Sequence, residues 1–380
     1  MDISAYLNLV KEEVVENCHL THKKQLGNTI TIFKNEEDFP NLEGFQVAIL
    51  GVEEERYAVD NEGCKAAPDA IRHALYPLFN HWPDLNIVDL GNVKSGLRVE
   101  DTYYALSEVF LTLLKHHIVP IILGGSQDLT YPIYQVYENT GKLVNITAVD
   151  PRFDIGEEGE SINSESYLSH IILHKPNYLF NYTNIGYQTY YIDNENISLM
   201  KQLLFDIYRL GTIKNRAELT EPLLRSADII TIDAAAFCAA DVPGVKRSSP
   251  NGLSSEDGCK MARYAGLNQK LTSIGFFNYN PQYDINYQSA NNLAEMIWYF
   301  MEGFSLRQND TPTDENRDDF TKYIVRLEDY DELIFLCHKA TGKWWMEISG
   351  HFIPCSKSDY DMAMRNELPD RWWQFYQKLM

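Results

Sequence analysis

Leu143-Val144-Asn145-Ile146-Thr147-Ala148-Val149, followed at once by Asp150-Pro151-Arg152-Phe153-Asp154, decides how the rest of the chain is read. The first part is a short, apolar, β-rich run that reads as a strand, and the second places three charged side chains just beyond its end. The unit recurs along the chain. Phe45 to Gly51, Leu85 to Leu90, Ile118 to Leu123, Tyr182 to Gly186, Phe205 to Leu210, Ile229 to Ile232 and Thr272 to Phe277 also read as strands. Helical patterns lie between them, at Pro68 to Leu78, Thr102 to His116, Leu129 to Glu138, Leu199 to Leu203, Pro222 to Arg225, Ser254 to Tyr264 and Ser289 to Phe304. Parallel strands need crossovers of about that length, so the alternation predicts an α/β fold. The expected form is a three-layer αβα arrangement around a mostly parallel central sheet of about eight strands.

In open α/β sheets the ligand site lies beyond the carboxyl ends of the strands. Three strand ends here are polar: Gly124-Gly125-Ser126-Gln127-Asp128 after the third, Asp150 to Asp154 after the fourth and Asp233 after the seventh. Singly each is weak, since paired glycines ordinarily make a turn and a lone strand-end aspartate ordinarily caps a helix. Their order and placement together predict one shared cleft.

Composition bounds what that cleft can serve. The chain has 380 residues, 44 % hydrophobic and 12 % aromatic, which suits a folded globular protein with a large core. Its 33 basic and 54 acidic residues leave a net charge of −21, which repels phosphate backbones and anionic lipid, so neither nucleic acid nor a membrane surface is an expected partner. No apolar run approaches the ~20 residues of a membrane helix, and the first residues do not form a secretory signal, so the expected setting is cytoplasmic. Cys18, Cys64, Cys238, Cys259, Cys337 and Cys355 are scattered without a Cys-x-x-Cys pair, which predicts free thiols and no zinc knuckle.

The series of motifs resembles the arginase, agmatinase and formiminoglutamase superfamily, the ureohydrolases, with signatures Gly-Gly-Asp-His-Ser, Asp-Ala-His-x-Asp and Ser-x-Asp-x-Asp. Ala67-Pro68-Asp69-Ala70-Ile71-Arg72 resembles the family's Gly-Pro-x-x-Ile-Arg helix start, and Val88-Asp89-Leu90-Gly91-Asn92-Val93 its Asp-Leu-Gly-Asp-Val. Pro243-Gly244 with Gly252-Leu253-Ser254, and Asn280-Pro281, resemble its later loops. The likeness spans roughly Phe45 to Leu306, and implies an arginase-like fold. It also implies a binuclear manganese centre of four aspartates and two histidines that activates water for attack on a guanidinium or formimino carbon.

Carried residue by residue, that ligand set is broken. Gln127 stands for the first histidine, Asp150 and Asp154 are kept, Arg152 stands for the second histidine, Asp233 is kept, and Ala235 replaces the last aspartate. Arginine stays protonated and cannot coordinate a divalent ion, so two ions are not expected. Two readings of the remaining carboxylates stay open. In the first, no cofactor is bound, and Arg152 lies against Asp150 or Asp233 as an ion pair in place of the second metal. In the second, Gln127, Asp150, Asp154 and Asp233 hold one manganese or magnesium ion, an all-oxygen set that suits these metals.

Ser126, Asp128 and Asn278 are expected to line what remains of the substrate cleft, with Asn278 where the family has a glutamate. The loop from Ile155 to Ser169 has no histidine where arginases carry a proton shuttle. Serine-nucleophile and dinucleotide readings fail for want of Gly-x-Ser-x-Gly and Gly-x-Gly-x-x-Gly. Two functions follow: a non-catalytic homologue acting in binding or assembly, or a divergent formiminoglutamase-like hydrolase of linear amidines with one metal.

The expected organisation is a ureohydrolase-like domain over 1–306, an acidic linker over 307–319 that favours a mobile loop, and a C-terminal extension over 320–380. In the extension Lys322 to Leu327, Leu333 to His338 and Lys343 to Ile348 read as an antiparallel meander, with turns at Asp329-Tyr330-Asp331 and Thr341-Gly342. Pro369 to Leu379 carries Trp372, Trp373, Phe375 and Tyr376 at helical spacing, a stripe that packs on its own domain or anchors a protein partner. The resemblance also implies a homo-oligomer, trimer or hexamer.

Overall fold

The computed structural model describes residues 3–16, 18, 20–328 and 332–380; the turn expected at 329–331 lies outside them. Strands β1 (Leu7–Asn8), β2 (Thr31–Ile32), β3 (Val47–Val52), β4 (Ile87–Val93) and β5 (Val119–Leu123) build one half of a ten-stranded sheet. The other half is β6 (Val144–Val149), β7 (Leu179–Tyr187), β8 (Asp206–Arg209), β9 (Ile229–Asp233) and β10 (Ser273–Phe277). The order is β1-β4-β3-β5-β10-β9-β6-β7-β8, with β2 also on β4. Every pairing is parallel except β1 with β4.

The eight expected strands all form. β3, β5, β9 and β10 are buried along their whole length, which is why they read as unbroken apolar runs and not as alternations. The period of two survives in where they point. Val47 and Ile49 face a layer with Ile71, Met261 and Phe300, whereas Ala48, Leu50 and Val52 face one with Leu106, Ile133 and Leu168. Helices Ala67–Leu75, Ser255–Gly266 and Gln288–Ser305 make the first layer, and Val99–Lys115, Thr130–Thr140 and Tyr167–Leu173 the second. Among the described residues no helix is long and apolar enough to cross a membrane.

The motifs at Arg72 and Asp89 hold the first helix on the sheet. Arg72 is fully buried, with Nε and Nη2 each 2.9 Å from an oxygen of Asp89 and Nη2 2.8 Å from Gly91 O. Tyr76 OH donates to the same carboxylate at 2.8 Å. A buried charge is tolerable only when paired and hydrogen-bonded in this way.

A separate antiparallel sheet, β11 (Phe320–Arg326), β12 (Glu332–His338), β13 (Trp344–Ile348) and β14 (His351–Cys355), follows in sequential order. Helices Lys357–Ala363 and Asp370–Leu379 complete the extension. Two arginines fix it to the first unit, one from each side. Arg371 donates to Asp206 Oδ2 and Ser226 Oγ at 3.1 Å each and to Pro354 O at 3.0 Å. Arg225 donates to Trp344 O at 3.1 Å and to Cys355 O at 3.2 Å.

Two expectations are corrected here. The acidic linker is packed and not a free loop: Asp310 is buried and pairs with Lys343 at 2.7 Å, and Asn316 Oδ1 accepts from Thr313 N at 2.7 Å. Phe375 is not an external anchor, because it is buried in the extension's own core beside Phe180. Trp372 and Tyr376 stack at 4.9 Å against that core, while Trp373 is 40 % exposed.

Candidate functional site

The polar strand ends meet because their strands are neighbours: β5, β10, β9 and β6 are consecutive in the sheet. Their carboxyl ends therefore set the Gln127 loop, Asn278, Asp233 and the Asp150–Asp154 loop side by side. Asp150 Oδ1 accepts from Arg152 N at 2.7 Å, and Asp233 Oδ1 accepts from Ala235 N at 2.7 Å. Asn278 ties the row together: its Nδ2 donates to Asp233 Oδ2 at 2.8 Å and its Oδ1 accepts from Gln127 N at 3.2 Å. It does so from φ +61, a left-handed conformation that Asn tolerates better than most residues. Asp154 is left-handed as well, at φ +53, which turns its carboxyl back toward Asp150.

Three buried carboxyls so close cannot all be charged cheaply. Burial raises Asp150 to about 8, with the charge of Asp233 adding to it, and raises Asp233 to about 6. Asp154 is pushed well above the usual carboxylate range by burial and then by Asp150 and Asp233. Oδ2 of Asp150 and of Asp154 meets no donor from another residue. A proton on Asp154, shared with Asp150, supplies one.

Arg152 is placed differently from expectation. Its guanidinium lies 4.7 Å from the ring centroid of Tyr191, and no ion pair within 4.0 Å joins it to Asp150 or Asp233 among the described residues. Its backbone accounts for this: the N–H is held by Asp150 and the carbonyl by Asn184 Nδ2 at 2.7 Å, so the side chain leaves along Tyr191. The arginine still favours the charged forms of Asp150 and Asp233 through space. The direct bridging expected of it is done by Asn278.

Asn278, Arg152, Asp154, Asp233 and Ala235 line the cleft. Ser126 and Asp128 do not, contrary to expectation. Gly125 explains the difference, since a Cβ there would come within 1.8 Å of Glu54 O and its absence lets the loop tuck beneath the β3 end. Asp128 is buried behind the cleft on the hydroxyl of Tyr103, and burial raises it to about 6. Gln127 is also buried, its Nε2 3.1 Å from Thr231 Oγ1 and its Oε1 without a donor.

Sequence reading missed the cleft's outer wall. Arg247 pairs with Asp60 and, at 3.2 Å, with Glu165, joining three loops across the mouth. Asn61 Nδ2 donates to Asn278 O at 3.0 Å. These contacts are 82 to 217 residues apart in sequence, and no spacing announces them. The space left is about 60 Å³, far under the ~300–1,000 Å³ of ordinary ligand pockets.

These residues do not fit a two-ion centre. Arg152 and Ala235 offer no lone pair to a metal, and no three His, Cys, Asp or Glu side chains among the described residues are arranged to hold an ion.

Comparison with known proteins agrees with this geometry in fold. Residues 45–302 match the model of the Arginase family. The formimidoylglutamase of Staphylococcus haemolyticus is 26 % identical over 305 residues, covering 74 % of this chain and 94 % of the relative. That of Staphylococcus aureus strain MSSA476 is 25 % identical over 280 residues, covering 67 % and 86 %. Among solved structures, Trypanosoma cruzi formiminoglutamase with Mn2+ superposes with a TM-score of 0.66 at 18 % identity, covering 75 % of this chain and 99 % of the other. Bacillus subtilis formimidoylglutamase gives 0.65 at 16 %, covering 71 % and 90 %.

Proposed function

The chain belongs to the arginase family, and from that membership we propose that it no longer hydrolyses its family's substrates and acts instead as a binding or assembly protein. The observation that supports this is Arg152. It stands where the family pattern has a histidine ligand, lines the cleft beside Asp154 and Asp233, and is held on Tyr191. A permanent positive charge there opposes a divalent ion among the aspartates. Ala235 removes a second ligand, and the remaining cavity is only about 60 Å³.

The test is metal content and hydrolysis, side by side. Protein purified without chelator and supplied with manganese and magnesium is expected to hold well below one ion per chain. It is also expected to leave formiminoglutamate, agmatine, arginine and guanidino acids intact. Arg152→His with Ala235→Asp is expected to gain metal. A full equivalent of metal in the wild type would sink the proposal.

One observation favours a second reading, a formiminoglutamase-like hydrolase of linear amidines with a single ion. Gln127 Oε1, Asp150 Oδ2 and Asp154 Oδ2 are buried without donors, and with Asp233 they form an all-oxygen set of the kind manganese or magnesium takes. Metal in the wild type, with hydrolysis lost in Asp154→Asn, would establish it.

On either reading we place the protein in a reducing, cytoplasmic setting, which its six free thiols suit, and as a trimer or hexamer, which light scattering would read. A partner-capture test belongs on Trp373→Ala, because deleting the extension would also strip Asp206 of Arg371.

A further inference from the structure

A second cavity lies at the amino ends of the strands, the end of the sheet opposite the cleft. It measures about 610 Å³ and opens where the C-terminal extension docks beside the starts of β6, β7, β9 and β10. Small-molecule pockets have volumes of ~300–1,000 Å³ and gather at junctions of this kind. Phe180, Trp345, Phe352 and Phe375 supply aromatic walls. Among the described residues its ionisable groups are Arg225, Lys270, His351 and Lys378, with no Asp or Glu, in a chain whose net charge is −21.

These cations are not equally satisfied. Arg225 is engaged by Glu221 and by the carbonyls of Trp344 and Cys355. Lys270 is half exposed, and its Nζ is 2.9 Å from Asp228 Oδ2 and 3.3 Å from Ser226 O. Lys378 reaches in from the last helix among the rings of Phe180, Phe205 and Phe375, 5.2 to 5.9 Å from their centroids. An ammonium has three donors, and among the described residues Asn181 Oδ1 takes one of them. Burial lowers its pKa to about 8, against the attraction of Asp206, so a further negative charge beside it would be favourable. One under-partnered cation suits a monoanion. A dianion such as phosphate would need a second buried one, and Lys270 and Arg225 are already paired while His351 is exposed.

We propose that this pocket binds a small monocarboxylate with an apolar body, its carboxylate on Lys378 and its body against the aromatic walls. The charge-assisted hydrogen bond supplies direction, and burial of the body supplies affinity.

Calorimetric titration of the full chain with decanoate and with decanol tests this. Decanoate is expected to bind one per chain and raise the melting temperature, with decanol weaker by at least about tenfold. Lys378→Met is expected to weaken decanoate by about tenfold and leave decanol unchanged. Leu143→Trp, at a position 59 % exposed on the rim, is expected to block both ligands, and it decides the matter if Lys378→Met does not fold. No binding of decanoate up to about 1 mM, equal binding of decanol, or undiminished binding by Leu143→Trp would overturn the proposal.

Discussion

Arg371→Met removes a buried guanidinium from the seam between the C-terminal extension and the α/β layers, and takes one donor from each of Asp206 Oδ2, Ser226 Oγ and Pro354 O. Breaking a buried ion pair from one side costs ~3–5 kcal/mol, chiefly because the remaining charge is uncompensated. The lower end applies here. Asp206 keeps Asn181 Nδ2 at 3.0 Å and Thr183 Oγ1 at 3.4 Å, and methionine retains the apolar character of the arginine stem. We therefore expect a loss of about 3 kcal/mol. Asp206→Leu is expected to cost a similar amount, and the double variant about 2 kcal/mol less than the sum, since neither member of the pair is then left facing the gap of the other. Urea unfolding followed by tryptophan fluorescence is the assay, because Trp344, Trp345, Trp372 and Trp373 all lie in the extension. Single variants within ~0.5 kcal/mol of the wild type, or strict additivity in the double, would refute the reasoning.

Lys378 gives a pH dependence of definite sign. Burial lowers its pKa from 10.5 to about 8, so between those values the unfolded chain binds more protons than the folded one, and stability rises with pH across that interval. Measured against Lys378→Met, the wild type is expected to gain between pH 8 and 10.5; a constant difference would show that the ammonium is not buried in the folded state. At the cleft, Asn278→Ala loses its amide bonds to Asp233 and Gln127 and puts alanine at positive φ, for an expected loss of about 2–3 kcal/mol. Asn278→Gly is expected to recover the strain and not the hydrogen bonds, and wild-type thermal stability in the alanine variant would remove the amide as the tie between these loops.

The sheet was legible because its strands announce themselves twice, as apolar runs and as runs ending in polar loops. Leu7–Asn8 and Thr31–Ile32 were not, since two residues carry no period. Strand His351–Cys355 was hidden by Pro354, which reads as a break and sits in the outermost strand of its sheet. The helix Lys357–Ala363 was overlooked although Ser356 and Asp359 form a capping box in the sequence itself. At the cleft, Asp150, Asp154 and Asp233 could be placed because strand ends place them. The direction of the Arg152 side chain could not be, because it is decided by Asn184 and Tyr191, which are 32 and 39 residues away. Ser126 and Asp128 misled for a related reason: a loop's residue types do not say which side of it faces in, and contact with Glu54 O settled that.

The Arg371–Asp206 contact spans 165 residues. During synthesis the edge strand β8 is therefore complete long before its counter-ion exists. Domains fold as units while the ribosome is still adding residues, yet here the charge in β8 stays without this partner until the helix Asp370–Leu379 is made. A chain without Arg371 would leave the carboxylate of Asp206 without its counter-ion at the edge of the central sheet, and an open strand edge there invites pairing with other chains.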